Sequence, residues 1–364
     1  MAFKQTTDVN FTVVIQHLAN TVVSPLVDIF TKGNVASESH KMYYDLDTLA
    51  KDFDESTNVY ALAEAMFEND GFNGPVKVIS APNADMPTPA NVKATSDGKD
   101  TTVTATAMNG LAYAAGLNMY DGCYIAVIDN SAFNDTDKAA FAKFIYEQQR
   151  YLFIDQVNTI DAAQTNETAV LGYQNEKGKL GNWLEVVEPN DDHKVAAQIG
   201  AYIAANIPVD VQHIGNLTQM VPSDKLTSDD YETIAGLNAT TVVNKSGDNM
   251  MLNGKVLSGG YADQAVNVNY AIDALRASLQ SYLNRNKWPI YNDKTIREMY
   301  ETILATGKTL YIAGILANPL TVTYVPRAQV LNQDVESREY RGFTVNAEIA
   351  STIDTLNAKI NLTI

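Results

Sequence analysis

The sequence predicts an α/β (mixed α+β) protein in which helices pack on mixed sheets. Three observations carry that expectation. β-branched apolar runs alternate with segments of helical periodicity along most of the chain. The 364 residues are 46% apolar, enough for a sizeable core and, at roughly 100–200 residues each, for two or three domains. Residues 9–15 and 356–364 both read as strands, which predicts exposed N- and C-terminal β-strand arms over 1–25 and 351–364.

In order, residues 9–15 (VNFTVVI) form the first strand-like run, and residues 47–53 a short acidic helical stretch. Residues 58–68 make a better helix, with Val59, Leu62, Ala63, Met66 and Phe67 on one face and Asn69-Asp70-Gly71 as the stop. Residues 75–79 read as a strand. Pro82, Pro87 and Pro89 then break the pattern, and residues 91–95 and 103–107 fit the arms of a short hairpin. Residues 86–119 are therefore expected to be a linker or surface insertion in an N-terminal/middle α/β domain made of 26–85 and 120–250.

Residues 123–128 are a buried-type strand. Asn134 or Asp135 caps a helix with Phe141, Phe144, Ile145 and Gln148 on one face. Strands are expected at 151–157 and 170–173, and a helix at 194–206 that Pro208 ends. In a C-terminal domain over 251–350, Val268, Ile272, Leu275, Leu279, Tyr282 and Leu283 mark a long amphipathic helix. Asn292 caps a second one carrying Ile296, Met299, Tyr300, Ile303 and Leu304, with Gly307 as its expected stop. Strands follow at 310–315 and 321–325. Phe343, Val345, Ala347 and Ile349 alternate with polar residues, as do Leu356, Ala358, Ile360 and Leu362.

Charge and residue inventory exclude several function classes. With 26 Lys+Arg against 43 Asp+Glu, the net charge of −17 repels phosphate backbones and anionic membrane surfaces, so neither nucleic acid nor membrane insertion is expected. Cys123 is the only cysteine, which excludes an internal disulfide and a cysteine-based zinc site and suits a reducing compartment. No targeting signal is read at the start, and the longest uncharged stretch, 101–120, is too polar to span a membrane.

His17, His40, His193 and His213 sit in no nucleophile motif. Asp191-Asp192-His193 reads as a polar turn ahead of a helix, where acids favour the positive end. Asp45, Asp47, Asp52, Asp54 and Glu55 lack the glycine and closing glutamate of a calcium loop. Residues 172–181 (GYQNEKGKLG) lack the Ser/Thr of a phosphate loop. No catalytic residue, metal or cofactor is expected, and the chain is not read as an enzyme.

The informative feature is the pair of terminal strands. Strand edges without charge or proline invite pairing, and a protein can use them by adding a strand to a neighbour. Phe11, Val13, Ile15, Leu356, Ala358, Ile360 and Leu362 are the candidates for subunit–subunit strand exchange; the alternative is that these strands close the chain's own sheet. Charge is also uneven. Residues 45–70 hold eight acids against Lys51, whereas residues 276–308 hold six bases against three acids. Lys294 and Arg297 lie off the apolar stripe of their helix. They are free to meet an acidic partner, or they only solvate a surface helix.

The order of segments resembles the tail sheath proteins of contractile phages and contractile bacteriocins, over most of the chain. Residues 45–67 followed by Pro75-Val76-Lys77-Val78 resemble that family's early helix and strand, and 123–128, 138–149 and 151–154 its strand–helix–strand middle. Residues 197–204 and 209–217 are similar to its next helix and strand. The long helix, Lys287-Trp288-Pro289-Ile290-Tyr291-Asn292-Asp293 and the short helix after it are the most specific part.

The resemblance implies a sheath-type fold and no catalysis. It implies hexameric rings stacked around a tail tube, knitted together by strand-adding arms and contracting to drive the tube through a target envelope. Its implied partners are further copies of the chain, the tube protein, and baseplate and tail terminator proteins. Its implied location is a virion tail or bacteriocin particle, synthesised and assembled in a bacterial host's cytoplasm. It places the C-terminal domain innermost, which would make Lys294 and Arg297 tube-facing. The alternatives are another tail or baseplate component, or a small-molecule-binding α/β enzyme.

Overall fold

The computed structural model describes residues 26–33, 38–87, 107–119, 121–173, 181–190, 192–352 and 354. The chain opens with β1 (Val27–Lys32) and β2 (Ser39–Tyr43), then α1 (Leu46–Leu49), α2 (Asn58–Phe67) and β3 (Val76–Ala81). β4 (Met86–Pro87) and β5 (Ala107–Met108) pair antiparallel, and α3 (Gly110–Asn118) follows. Next come β6 (Ile125–Ile128), α4 (Asp135–Gln148), β7 (Leu152–Val157), α5 (Ile160–Leu171), β8 (Trp183–Val187) and α6 (Val195–Ala205). α7 (Ser228–Gly236) leads to the hairpin of β9 (Val242–Lys245) and β10 (Asp248–Met251). The last part holds α8 (Ala262–Arg285), α9 (Asp293–Ile312), β11 (Thr321–Tyr324), α10 (Asn332–Glu336) and β12 (Phe343–Asn346).

Six strands form the main sheet in the order β2-β3-β1-β6-β7-β8. All neighbours run parallel except the edge strand β2, which is antiparallel to β3. Parallel strands need both faces covered, and they read as continuous apolar runs. The IAVI of β6 is buried at every residue for that reason. On one face Val27, Ile29, Val78, Val127 and Ile154 pack with α2, α6 and the first half of α8. On the other, Phe30, Ile79, Ile128, Phe153 and Trp183 pack with α3, α4 and α5. The free side of β8 is closed by Thr240, whose N–H donates to Glu185 O at 2.9 Å and whose carbonyl accepts from Val187 N at 2.8 Å.

Several expectations fail for identifiable reasons. Residues 170–173 do not form a strand, because Thr159 caps α5 and Ala163, Asn166 and Val170 line its buried face. Residues 310–315 do not form a strand either: α9 runs through Gly307 to Ile312. That glycine does not stop the helix; a Cβ there would sit 2.2 Å from the Leu320 side chain, so Gly307 permits close packing. Residues 209–217, expected as a strand, contain a 3-10 turn at Val211–His213.

Within the expected insertion at 86–119, α3 is a buried core helix capped by Asn109, and Leu111, Ala114 and Ala115 pack on the sheet. The β4–β5 ladder closes the base of residues 88–106, where most of the expected hairpin lies outside the described residues. β1, β2 and β8 were not anticipated.

A buried arginine fastens the C-terminal helices to this layer. Arg150 donates from Nε to Met119 O at 3.0 Å and from Nη2 to Asp273 Oδ2 of α8 at 2.7 Å. Tyr124 and Tyr270 stack edge-on beside it, 5.9 Å apart. The second half of α8 carries α9, joined by Tyr282 Oη donating to Glu298 Oε2 at 2.7 Å.

Candidate assembly surfaces

The carboxyl ends of β1 and β6 form the point where the winding of the sheet reverses, the place where open α/β sheets take ligands. Asp129 sits there, fully engaged. It accepts from Thr31 Oγ1 at 2.8 Å, Asn58 Nδ2 at 2.9 Å and Ser131 Oγ at 2.6 Å. Beside it is a cavity of about 320 Å³ whose polar lining comes from Asn58, Asn130, Ser131, Gln156, Asn158 and Lys194. Asn130 and Gln156 use their amides on backbone carbonyls, at 2.8 Å to Gln156 O and 2.7 Å to His193 O. The lining holds amides, the Ser131 hydroxyl that donates to Asp129 and the Lys194 amine, with no carboxylate, imidazole or thiol among the lining residues.

The polar residues singled out in the sequence serve local structure. Asp45 caps α1, accepting from Thr48 N at 2.7 Å. Asp52 accepts from Lys41 and Tyr43, and the lysine contact above all holds its carboxyl below the usual range. Asp54 accepts from Ser56 N at 2.9 Å. His40 meets Glu38 at 2.8 Å, His213 meets Asp210 at 2.9 Å, and His193 lies 3.9 Å from Glu188. Asp191 and His17 lie outside the described residues. Among the described residues no group of three or more His, Cys, Asp or Glu side chains is placed to hold a metal ion. Cys123 is buried and donates to Leu26 O at 3.2 Å; burial pushes its thiol well above the ordinary value, away from reactivity.

Two buried charged clusters lie under the helices. Asp28 accepts from Tyr151 Oη at 2.7 Å and stands in register with Lys77, which pairs with Asp121. Burial pushes the Asp28 carboxyl up to about 7 despite the opposing lysine. Asp155 and Glu185 are register neighbours on β7 and β8 with one lysine, Lys138, 2.9 Å from Asp155. Glu185 accepts from Asn166 Nδ2 at 2.8 Å, and burial followed by the charge of Asp155 drives its carboxyl well above the usual range. The signal for Asp28 and Asp155 was a single acid set inside the apolar start of VDIFTK and the apolar run of LFIDQV, where strand neighbours are buried on both faces.

The C-terminal part presents unpaired backbone. β11 and β12 form a two-stranded antiparallel ribbon, and no third strand joins it among the described residues. Val325 N donates to Gly342 O at 3.0 Å, and alternate residues bond across such a ladder. Val322, Tyr324, Phe343 and Val345 therefore direct their N–H and C=O groups outward. Trp288 is 80% exposed, Ile312 72% and Leu331 69% in the same part of the chain.

Lys294 and Arg297 project from the exposed side of α9. Each is in loose i,i+4 contact with an acid of its own helix, Glu298 at 3.8 Å and Glu301 at 3.9 Å. The expected strand-exchange residues Phe11, Val13, Ile15, Leu356, Ala358, Ile360 and Leu362 lie outside the described residues. The outward ribbon edge was missed in the sequence because an alternating strand looks the same with one partner as with two.

No protein-family model matches the chain, and no curated protein matches it in sequence. Solved structures match it in shape. The PVC sheath of an extracellular contractile injection system, in its contracted state, superposes with a TM-score of 0.64 over 100% of this chain and 98% of that one, at 10% identity. The helical sheath of the anti-feeding prophage in its contracted state gives 0.55 over 99% of both chains, at 11% identity. A sheath tail protein from Listeria innocua gives 0.51 over 91% of this chain and 93% of that one, also at 11% identity. With so little shared sequence, the conserved quantity is the arrangement of strands and helices just described. The chain has, along its whole length, the fold of contractile tail-sheath proteins.

Proposed function

We propose that this chain is the structural subunit of a contractile tail sheath, forming stacked hexameric rings around a tail tube and shortening to drive the tube through a target cell envelope. The observation that carries the reading is the whole-length likeness to sheath subunits, two of them in contracted assemblies. The outward edges of the β11–β12 ribbon support it physically, since an unpaired edge accepts a strand from another chain through backbone bonds alone. Residues 1–25 and 355–364 are the strands to be exchanged, through Phe11, Val13, Ile15, Leu356, Ala358, Ile360 and Leu362.

On this reading residues 251–350 lie innermost with Lys294 and Arg297 toward the tube, the acidic N-terminal region lies further out, and residues 80–100 are the place for a residual protrusion. The particle is a virion tail or bacteriocin-like machine put together in the host cytoplasm, with baseplate and terminator proteins at its ends. Contraction is a shift between two packings of the same subunits, which stores free energy at interfaces and needs no chemical step. The enzyme alternative is disfavoured by the lining of the cavity at the carboxyl edge of the sheet, which is mostly amide, carries no imidazole or thiol, and has its serine hydroxyl tied to Asp129.

The test is electron microscopy of the purified full chain and of a truncation lacking residues 355–364. The full chain forms rings or tubes, and the truncation stays a folded monomer. Tubes of normal appearance from the truncation, or a full chain that remains monomeric at high concentration, would overturn the assignment.

A further inference from the structure

Two exposed apolar points of this chain carry rims of opposite charge. The first is the turn between α8 and α9. No residue of α8 beyond Leu279 is buried, so the last turns of that helix and the residues after them project as a knob. At its tip Trp288 is 80% exposed and Ile290 54%. Arg285 and Lys287 are exposed beside them, and Arg285 Nε donates to Ser281 O at 3.2 Å, which lays its stem along the helix. Residues 285–297 hold four bases and one acid, Asp293, which accepts from Arg327 N at 2.7 Å.

The second point is the corner where β2 runs into α1. Tyr44 is 64% exposed there and Met42 41%. Asp45, Asp47, Asp52, Asp54 and Glu55 are all exposed around them, against Lys51 and Lys41, and Lys41 is paired with Asp52. Hydrogen bonds from Thr48, Lys41 and Ser56 hold the Asp45, Asp52 and Asp54 carboxyls below the usual range, so the corner keeps its charge in mild acid.

An exposed aromatic side chain within a polar rim has the composition of an interface centre, and opposite charge on the two rims sets which surfaces meet. The chain as a whole carries −17, so a basic knob is drawn to other copies of the chain itself. We propose that the α8–α9 turn of one copy docks on the β2–α1 corner of a second copy, Trp288 and Ile290 against Tyr44 and Met42, with Arg285 and Lys287 facing Asp47 and Glu55. Knob and corner are different surfaces, so the contact is head-to-tail: each copy gives a knob to one neighbour and receives one from another. Such contacts build closed rings or open helices and do not stop at a dimer. The inference rests on the sheath reading above and names an interface for it. α8 spans about 36 Å, which lets a knob on an inner domain reach a neighbour's outer region. Lys294 and Arg297, in the first turns of α9, take no part in the contact.

The test needs no label. Trp183 is buried, Trp288 is exposed, and the chain has two tryptophans, so acrylamide quenching of the full chain reads the knob. Quenching falls as the chain assembles. Arg285→Glu with Lys287→Glu raises the concentration needed for assembly by about tenfold, and Asp47→Lys with Glu55→Lys does the same. Both variants keep the circular dichroism of the parent, because all four residues are exposed. An equal mixture of the two reversed chains assembles like the parent, since each knob then meets opposite charge on the other chain's corner. An assembled parent with Trp288 as open to quencher as in the monomer, or a mixture no better than its components, would overturn the contact and leave the sheath reading standing. A fall in quenching that appears only when a tube is supplied would place the knob on the tube and also overturn the contact. A chain that never assembles overturns the sheath reading, and the contact with it.

Discussion

The six-stranded sheet and the β11–β12 ribbon are built from similar residues and end in opposite conditions. β6 and β8 are buried at every position, and the outer side of β8 is bonded to Thr240. β11 and β12 alternate between half-buried and exposed, and both of their outer edges are left open among the described residues. The first closes its β8 side within the chain and leaves only its short edge strand β2 without a further strand among the described residues. The second is half of a structure, stable because α9 backs it with Tyr300 against Tyr324 at 5.2 Å. A protein that must be soluble alone and cohesive in an assembly can separate the two tasks in this way. On the proposed reading, the sheet supplies the fold and the ribbon the joint.

The largest effect that breaks this comparison is removal of a core anchor from the six-stranded sheet. Trp183 is fully buried, and Trp183→Ala is expected to lower stability by about 3–5 kcal/mol in denaturant titration, abolishing assembly through loss of the fold. The ribbon should respond differently. Val345→Pro removes an outward N–H, so it is expected to cost the monomer about 1 kcal/mol while preventing polymerisation in sedimentation or microscopy. Thr344→Pro removes an inward N–H and should destabilise the monomer more. Equal assembly by Val345→Pro and the parent would mean that the outer edge of β12 is not a joint.

A subtler contrast is pH. Burial under α4 and α5 raises the Glu185 carboxyl, so it favours the folded state in acid, and that contribution fades as pH rises above the ordinary carboxylate range. Glu185→Gln should flatten this part of the stability–pH curve and leave the chain more stable than the parent at alkaline pH. A parent and variant with parallel curves would contradict it. The smallest effect is expected at the surface of α9. Reversing both Lys294 and Arg297 to Glu should change monomer stability by only about 0.3–0.5 kcal/mol per pair, since each meets its acid at the edge of contact range. Co-assembly on tubes should be impaired while tube-free polymerisation survives. Unchanged co-assembly would move these residues away from the tube.

Much of the fold was legible where local rules act alone. Asn134 and Asn292 cap α4 and α9 as expected, and the faces of α2 and of the later turns of α8, with Leu275 and Leu279 buried, follow the 3.6-residue pattern, whereas the first turns of α8 are buried nearly all round. The errors at 170–173 and 310–315 were helix ends mistaken for strands, because a few apolar residues carry no period by themselves. The missed strands β1 and β8 have buried polar residues, Asp28 and Glu185, whose partners Tyr151 and Asn166 lie far along the sequence. The sheath-type arrangement was recognised as a sequence of segments, and the whole-length structural likeness bears it out.

By itself the sequence determined the alternation of helices and strands, the acidic character and the absence of any nucleophile motif, because these depend on residue type and short-range spacing. Only the tertiary structure decided which strands neighbour one another, that Gly307 serves close packing against Leu320, and that the β11–β12 ribbon has no third strand among the described residues. These are relations between residues distant in the chain. Hydrogen-bond completion and close approach act through space, and no local pattern encodes which distant groups will meet.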